Sequence, residues 1–120
     1  MNKTILHRSL SKGRWQELTL VEQLGNIGSE VSRAKNWQGK DNKLFNGAVD
    51  RALELFDLTL EDNRWKGRIL EIARAREVFV DAVYGGKEYK SSLEDLMPYF
   101  DQFAYVASLL RSVKVFTAPR

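Results

Sequence analysis

The stretch Thr19–Asn36, TLVEQLGNIGSEVSRAKN, decides the fold class. Apolar residues recur in it at Leu20, Leu24, Ile27, Val31 and Ala34. Alternating steps of four and three place them on one stripe of a helix turned toward a neighbour. Thr19 and Glu22 form a Thr-x-x-Glu capping box, so the helix start is written locally. Gly25 and Gly28 stand inside the helix, where a glycine costs about 1 kcal/mol relative to alanine. Two such glycines point to close helix packing, with a neighbouring backbone near.

The same reading extends downstream. Trp37-Gln38-Gly39-Lys40 is a connection with Gly39 as the breaker. Asp41 or Asn42 then caps a second helix that runs to about Glu61 and carries a wide apolar stripe. Asp62 caps a third, expected over Asn63–Tyr84, with the stripe Trp65, Ile69, Ile72, Phe79 and Val83 and with Gly85-Gly86 as its stop. Arg76 falls on that stripe and is a buried ion-pair candidate, with Asp57, Glu30 or Asp81 as its acid. Its alternative role is an anion contact inside an oligomeric pore. Ser91 and Ser92 open a fourth helix, with Glu94 and Asp95 placed for capping boxes. Pro98 either begins the main part of that helix or kinks it. The stripe continues through Leu96, Phe100, Phe103, Ala107 and Leu110 and fades near Lys114.

Upstream, residues 1–18 read as an arm, ordered against the bundle or against another subunit. The expectation is therefore an all-α protein: an up-and-down antiparallel four-helix bundle over residues 19–112, with a short N-terminal arm at 1–18 and a tail at 113–120. Its 120 residues suit one domain with a real core. There is no membrane-length apolar run and no signal-peptide-like stretch, and cysteine is absent, so a cytoplasmic location without disulfides is expected.

Charge is clustered. Residues 1–16 hold four bases and no acid, residues 17–63 hold nine acids and five bases, and residues 64–76 hold five bases against Glu71. Lysine and arginine along one helix neutralise phosphates with little sequence preference. Arg64, Lys66, Arg68 and Arg74, joined by Lys12 and Arg14 of the arm, are the candidate nucleic-acid-binding residues. The competing reading is a solvated face paired with acids one turn away. Five aromatics, Trp37, Tyr84, Tyr89, Tyr99 and Tyr105, lie near helix ends or flanks and suit a subunit interface.

Catalytic chemistry finds few handles. His7 is the sole histidine and lies in the arm, so neither a Glu-x-x-His metal motif nor a Ser-His-Asp triad can be assembled in the bundle. Glu61-Asp62 and Glu94-Asp95 sit at helix starts, where they favour the helix dipole. The expectation is a non-enzymatic protein with no catalytic residue, metal or cofactor.

The run Gln23–Trp37, QLGNIGSEVSRAKNW, resembles the four-helix-bundle family encoded in intervening sequences of bacterial large-subunit ribosomal RNA. Asn26-Ile27-Gly28-Ser29-Glu30-Val31 and Arg33-Ala34 occupy the comparable places, Lys40–Lys43 supply the polar loop, and Phe45 opens the next helix. Glu30 stands where that family has asparagine. The resemblance covers about a third of the chain. It implies a ring-like homo-oligomer, commonly a pentamer, without established enzymatic activity, and relatives that bind nucleic acid through a basic surface. Two functions are carried forward: a homo-oligomeric bundle that binds RNA or DNA non-specifically, and a protein-interaction bundle, accessory or antitoxin-like, that does not.

Overall fold

A computed structural model describes residues 12–85 and 92–117. Within them the protein is all-α. A short helix α1 (Lys12–Trp15) precedes α2 (Leu20–Trp37) and α3 (Asn42–Leu60). A 3₁₀ segment (Asn63–Arg68) leads into α4 (Ile69–Val83), and α5 (Leu93–Thr117) completes the set.

The local signals act as their chemistry requires. The Glu22 amide donates to Thr19 Oγ1 and the Thr19 amide donates to Glu22 Oε1, closing the capping box of α2. Asp41 Oδ1 accepts the Leu44 amide at the start of α3. Ser92 and Asp95 exchange bonds at the start of α5. Gly39 (φ 76°) and Gly85 (φ 112°) make the left-handed turns that follow α2 and α4. Pro98 lies inside a single continuous α5.

Neighbouring helices run antiparallel. From Gln23 to Glu30 on α2, the partners run back from Asp62 to Arg51. From Gly25 to Gly28, the facing residues of α5 run back from Ala104 to Phe100. On α3 and α4, Phe56 meets Phe79 and Asp57 meets Arg76. α2 is thus sandwiched between α3 and α5. At the centre, Phe56, Phe79 and Phe100 come from three different helices, with ring centroids 5.9 and 6.1 Å from Phe56. Leu24, Ile27 and Val31 of α2 and Ile72 of α4 are fully buried around them. Each such side chain stabilises the fold by about 1.5–3 kcal/mol.

One expectation about an element is corrected. The third helix does not start as an α-helix at Asn63. The chain makes 3₁₀ turns to Arg68, with Trp65 at φ −105°, ψ 24°. Asp62 binds both the backbone and the side chain of Arg64, and Trp65 is tied to Gln23, so those residues are held out of α geometry. The stripe shifts accordingly: α4 buries Ile72, Ala75, Phe79 and Ala82, while Ile69 is exposed. Of the arm, residues 12–18 are described, and they pack against the bundle, because Trp15 is fully buried and joins the core. Residues 1–11 lie outside the described part.

Candidate functional site

The residues expected to bind nucleic acid are placed largely by acids of the chain itself. Asp62, only 3 % exposed, is the hub. Arg64 Nη2 donates to Asp62 Oδ2 at 2.6 Å and Arg64 Nε donates to Oδ1 at 3.0 Å. The same Nη2 donates to the Leu18 carbonyl at 2.6 Å, and the guanidinium lies 4.4 Å from the Trp65 ring centroid. Its bonds hold the Asp62 carboxyl down to about 2, against the opposing effect of burial, and the pair raises Arg64 in turn. Arg64 therefore clasps the end of α3 to the α1–α2 turn.

Arg68 is taken up by Glu71, with Nε to Oε1 at 2.7 Å and Nη2 to Oε2 at 3.1 Å. Tyr99 Oη of α5 donates to the same carboxylate at 3.1 Å. Glu71 is lowered, first by Arg68. Tyr99 is raised, first by its burial and then by the Glu71 charge. Arg74 lies 3.9 Å from Glu77. Arg76 does not form a buried pair: it meets Asp57 at 3.0 Å with its side chain 33 % exposed and that of Asp57 55 % exposed. Arg14 and Lys66 are exposed. Lys12 opens α1, and its side chain lies outside the described part. The expected basic face is thus mostly arginines each set against an acid within or beside its own helix.

Sequence reasoning missed the polar knot next to this clasp. Trp15 Nε1 donates to Thr59 Oγ1 at 3.0 Å. The fully buried Gln23 amide nitrogen donates to the Trp15 carbonyl at 3.0 Å and to Asp62 Oδ2 at 3.1 Å, and its oxygen accepts Trp65 Nε1 at 2.9 Å. Four separated segments are joined by bonds that leave buried polar groups satisfied. Only Asp62 announced itself, as a cap. Nothing in the spacing links Trp15 to Thr59, because they meet only when α1 folds back on the end of α3.

The glycines of α2 sit on the α5 seam. A Cβ at Gly28 would lie 2.6 Å from Phe100 Cβ, and one at Gly25 would lie 3.4 Å from Ala104 Cα. On the other side of α2, Glu30 is 7 % exposed and binds Arg33 at 2.7 Å and Arg51 of α3 at 3.2 Å. Glu30 is therefore an inter-helix ion-pair centre.

Exposed apolar side chains gather on one side of α5. Leu93, Leu96 and Phe100 are buried, but among the described side chains after Phe103 only Ala107 is. Tyr105, Val106, Leu109 and Leu110 are 66 %, 39 %, 46 % and 45 % exposed. At 100° per residue these four span about 140° of the helix, on the side away from Phe100 and Ala107. Of the aromatics expected at an interface, Tyr84 and Tyr105 are exposed and Trp37 is partly buried. Tyr99 instead packs edge-on against Phe100 and Phe103, and Tyr89 lies outside the described residues.

Among the described residues, no three histidine or acidic side chains converge as a metal site, and no helix is long and apolar enough to cross a membrane. Comparison with protein-family models, with curated proteins and with solved structures gives no match.

Proposed function

We propose that this protein is a non-enzymatic helical bundle that works by association, with protein as its partner, through the outward face of α5. The observation that carries the reading is the second apolar face of that helix, Tyr105, Val106, Leu109 and Leu110, left open by the fold. Contiguous exposed apolar side chains of this kind mark contact surfaces. The buried hub serves the fold: Asp62 is held ionised by Arg64 and Gln23, and its bonds join segments of the chain. The test is the native mass of the chain in extract of cells that make it, before and after nuclease. A species larger than 13.8 kDa that resists nuclease and is lost in Leu109→Glu is expected. A species indifferent to Leu109→Glu overturns the reading.

Non-specific nucleic-acid binding is the second reading, and the exposed Arg14 and Lys66 on a chain of net charge +3 favour it. It requires affinity that falls steeply with salt and a smaller slope in Arg14→Glu with Lys66→Glu. Binding that is absent or independent of salt removes it.

A further inference from the structure

We infer that residues 12–18 are a strap that leaves the bundle as one unit while α2–α5 stay folded, and that Asp62 is the latch that keeps it closed. The inference is independent of the α5 face. Three observations lead to it.

The first is that the strap cannot hold itself. α1 is four residues long. The turn after it is closed by the Glu17 amide on the Arg14 carbonyl and the Leu18 amide on the Trp15 carbonyl, each at 3.1 Å. A single helical turn has no stability of its own in water. Arg14 and Glu17 are exposed, Gln16 and Leu18 are half-buried, and Trp15 alone among the described side chains of the strap is buried.

The second is the way it is attached. Trp15 Nε1 donates to Thr59 Oγ1 at 3.0 Å, Gln23 Nε2 donates to the Trp15 carbonyl at 3.0 Å, and Arg64 Nη2 donates to the Leu18 carbonyl at 2.6 Å. The last two nitrogens carry two hydrogens each. Both also donate to one acceptor, Asp62 Oδ2, at 3.1 and 2.6 Å. Trp65 Nε1 on Gln23 Oε1 fixes which end of that amide faces the strap. A single carboxylate oxygen therefore aims both donors that grip the strap's backbone. Without it the strap is held by the Trp15 side chain.

The third is that the bundle is closed without the strap. α2 starts on its own capping box, Thr19 with Glu22, immediately after it. The Phe56–Phe79–Phe100 cluster, with Leu24, Ile27, Val31 and Ile72 around it, is drawn from α2–α5. Undocking returns the backbone freedom of the whole strap in exchange for one buried indole and the hydrogen bonds above, and it dismantles no helix of the bundle. Segments attached in this way open at a lower free energy than the core unfolds. Opening bares the Trp15 indole and the Thr59 hydroxyl at the α1 end of the bundle.

The test is native-state hydrogen exchange of the purified full chain, read by NMR at rising urea below the unfolding transition. The Trp15 indole N–H and the Leu18 amide should be protected less than the Phe56 and Phe79 amides by about a hundred-fold or more, with little dependence on urea. Asp62→Asn should lower the protection of both strap probes by about ten-fold or more. The Phe56 and Phe79 amides of that variant should keep the slow exchange of a folded core, with helicity by circular dichroism unchanged. Strap probes that share the protection and the urea dependence of the core overturn the strap. Strap protection unmoved by Asp62→Asn overturns the latch. Should Asp62→Asn not fold, Arg64→Met removes one of the two aimed donors from a part-exposed site and is read in its place against the same outcomes.

Discussion

Both halves of α5 carry large apolar side chains, and their fates are opposite. Leu93, Leu96 and Phe100 close the core against α2, whereas Tyr105, Val106, Leu109 and Leu110 stand in the open. The difference does not come from hydrophobicity. It comes from where α2 offers a receiving surface. Gly28 lets Phe100 lie on the α2 backbone, and Gly25 lets α5 come within van der Waals reach as far as Ala104. Ala107 is still buried beyond that level, and Tyr105, Val106, Leu109 and Leu110 lie on the other side of α5, where no helix of the bundle receives them. A helix that is apolar on two faces therefore states two contacts, and the bundle supplies one of them.

Phe100→Ala should break the packed half most severely. A buried phenylalanine lost to alanine costs about 3–5 kcal/mol, read as a lowered urea midpoint. An unchanged midpoint would mean that the Phe56–Phe79–Phe100 cluster does not tie α5 to the bundle.

Next comes the clasp at the α2 N-terminal end. With its carboxyl held near 2 in the folded state, Asp62 contributes stability that is fully present above about pH 4 and is lost as pH falls toward 2. The amount is on the order of 2 kcal/mol. Asp62→Asn should be less stable at neutral pH and should show a flatter profile from pH 4 to 2. Thermal unfolding across that window decides it, and parallel profiles would remove Asp62 from the acid response.

The glycine pair sharpens the comparison further. Gly28→Ala forces Phe100 to move, and overpacking of about 1–3 kcal/mol exceeds the helix propensity gained by about 1 kcal/mol. Gly25→Ala meets only an ordinary contact and should be neutral or slightly stabilising. Equal midpoints for the two variants would deny that the seam tightens from Gly25 to Gly28.

The smallest effect should be in the open half. Leu109→Ala at low protein concentration should change monomer stability by no more than about 0.5 kcal/mol, as surface substitutions do. A loss comparable to that at Phe100 would place Leu109 in the core after all.

Much of the fold was legible because its signals are local. Thr19 with Glu22, Asp41, Ser92 with Asp95, Gly39 and Gly85 each set a boundary through groups only a few residues apart. The stripe of α2 reappears as buried residues from Leu20 to Ala34. The candidate site was less legible. Arg64 read as an exposed cation because Asp62 counted only as a helix cap, whereas the Arg68–Glu71 pair is the pairing one turn away that the competing reading offered. Arg76 read as buried because it falls in the step between Ile72 and Phe79, but Ala75 takes the buried place there and Arg76, one residue further round, meets Asp57 at the edge.

The sequence by itself determined that the chain would be helical, where most helices begin and end, and which face of α2 would turn inward. Periodicity and capping act over one or two turns, and no distant residue can alter them. Tertiary structure alone decided that Trp15 belongs to the core, that Gln23 gathers Trp15, Asp62 and Trp65, and that α5 buries one apolar face and leaves the other bare. Those outcomes depend on which surfaces arrive beside one another, and a side chain's chemistry states what it can bind, not what will come within reach.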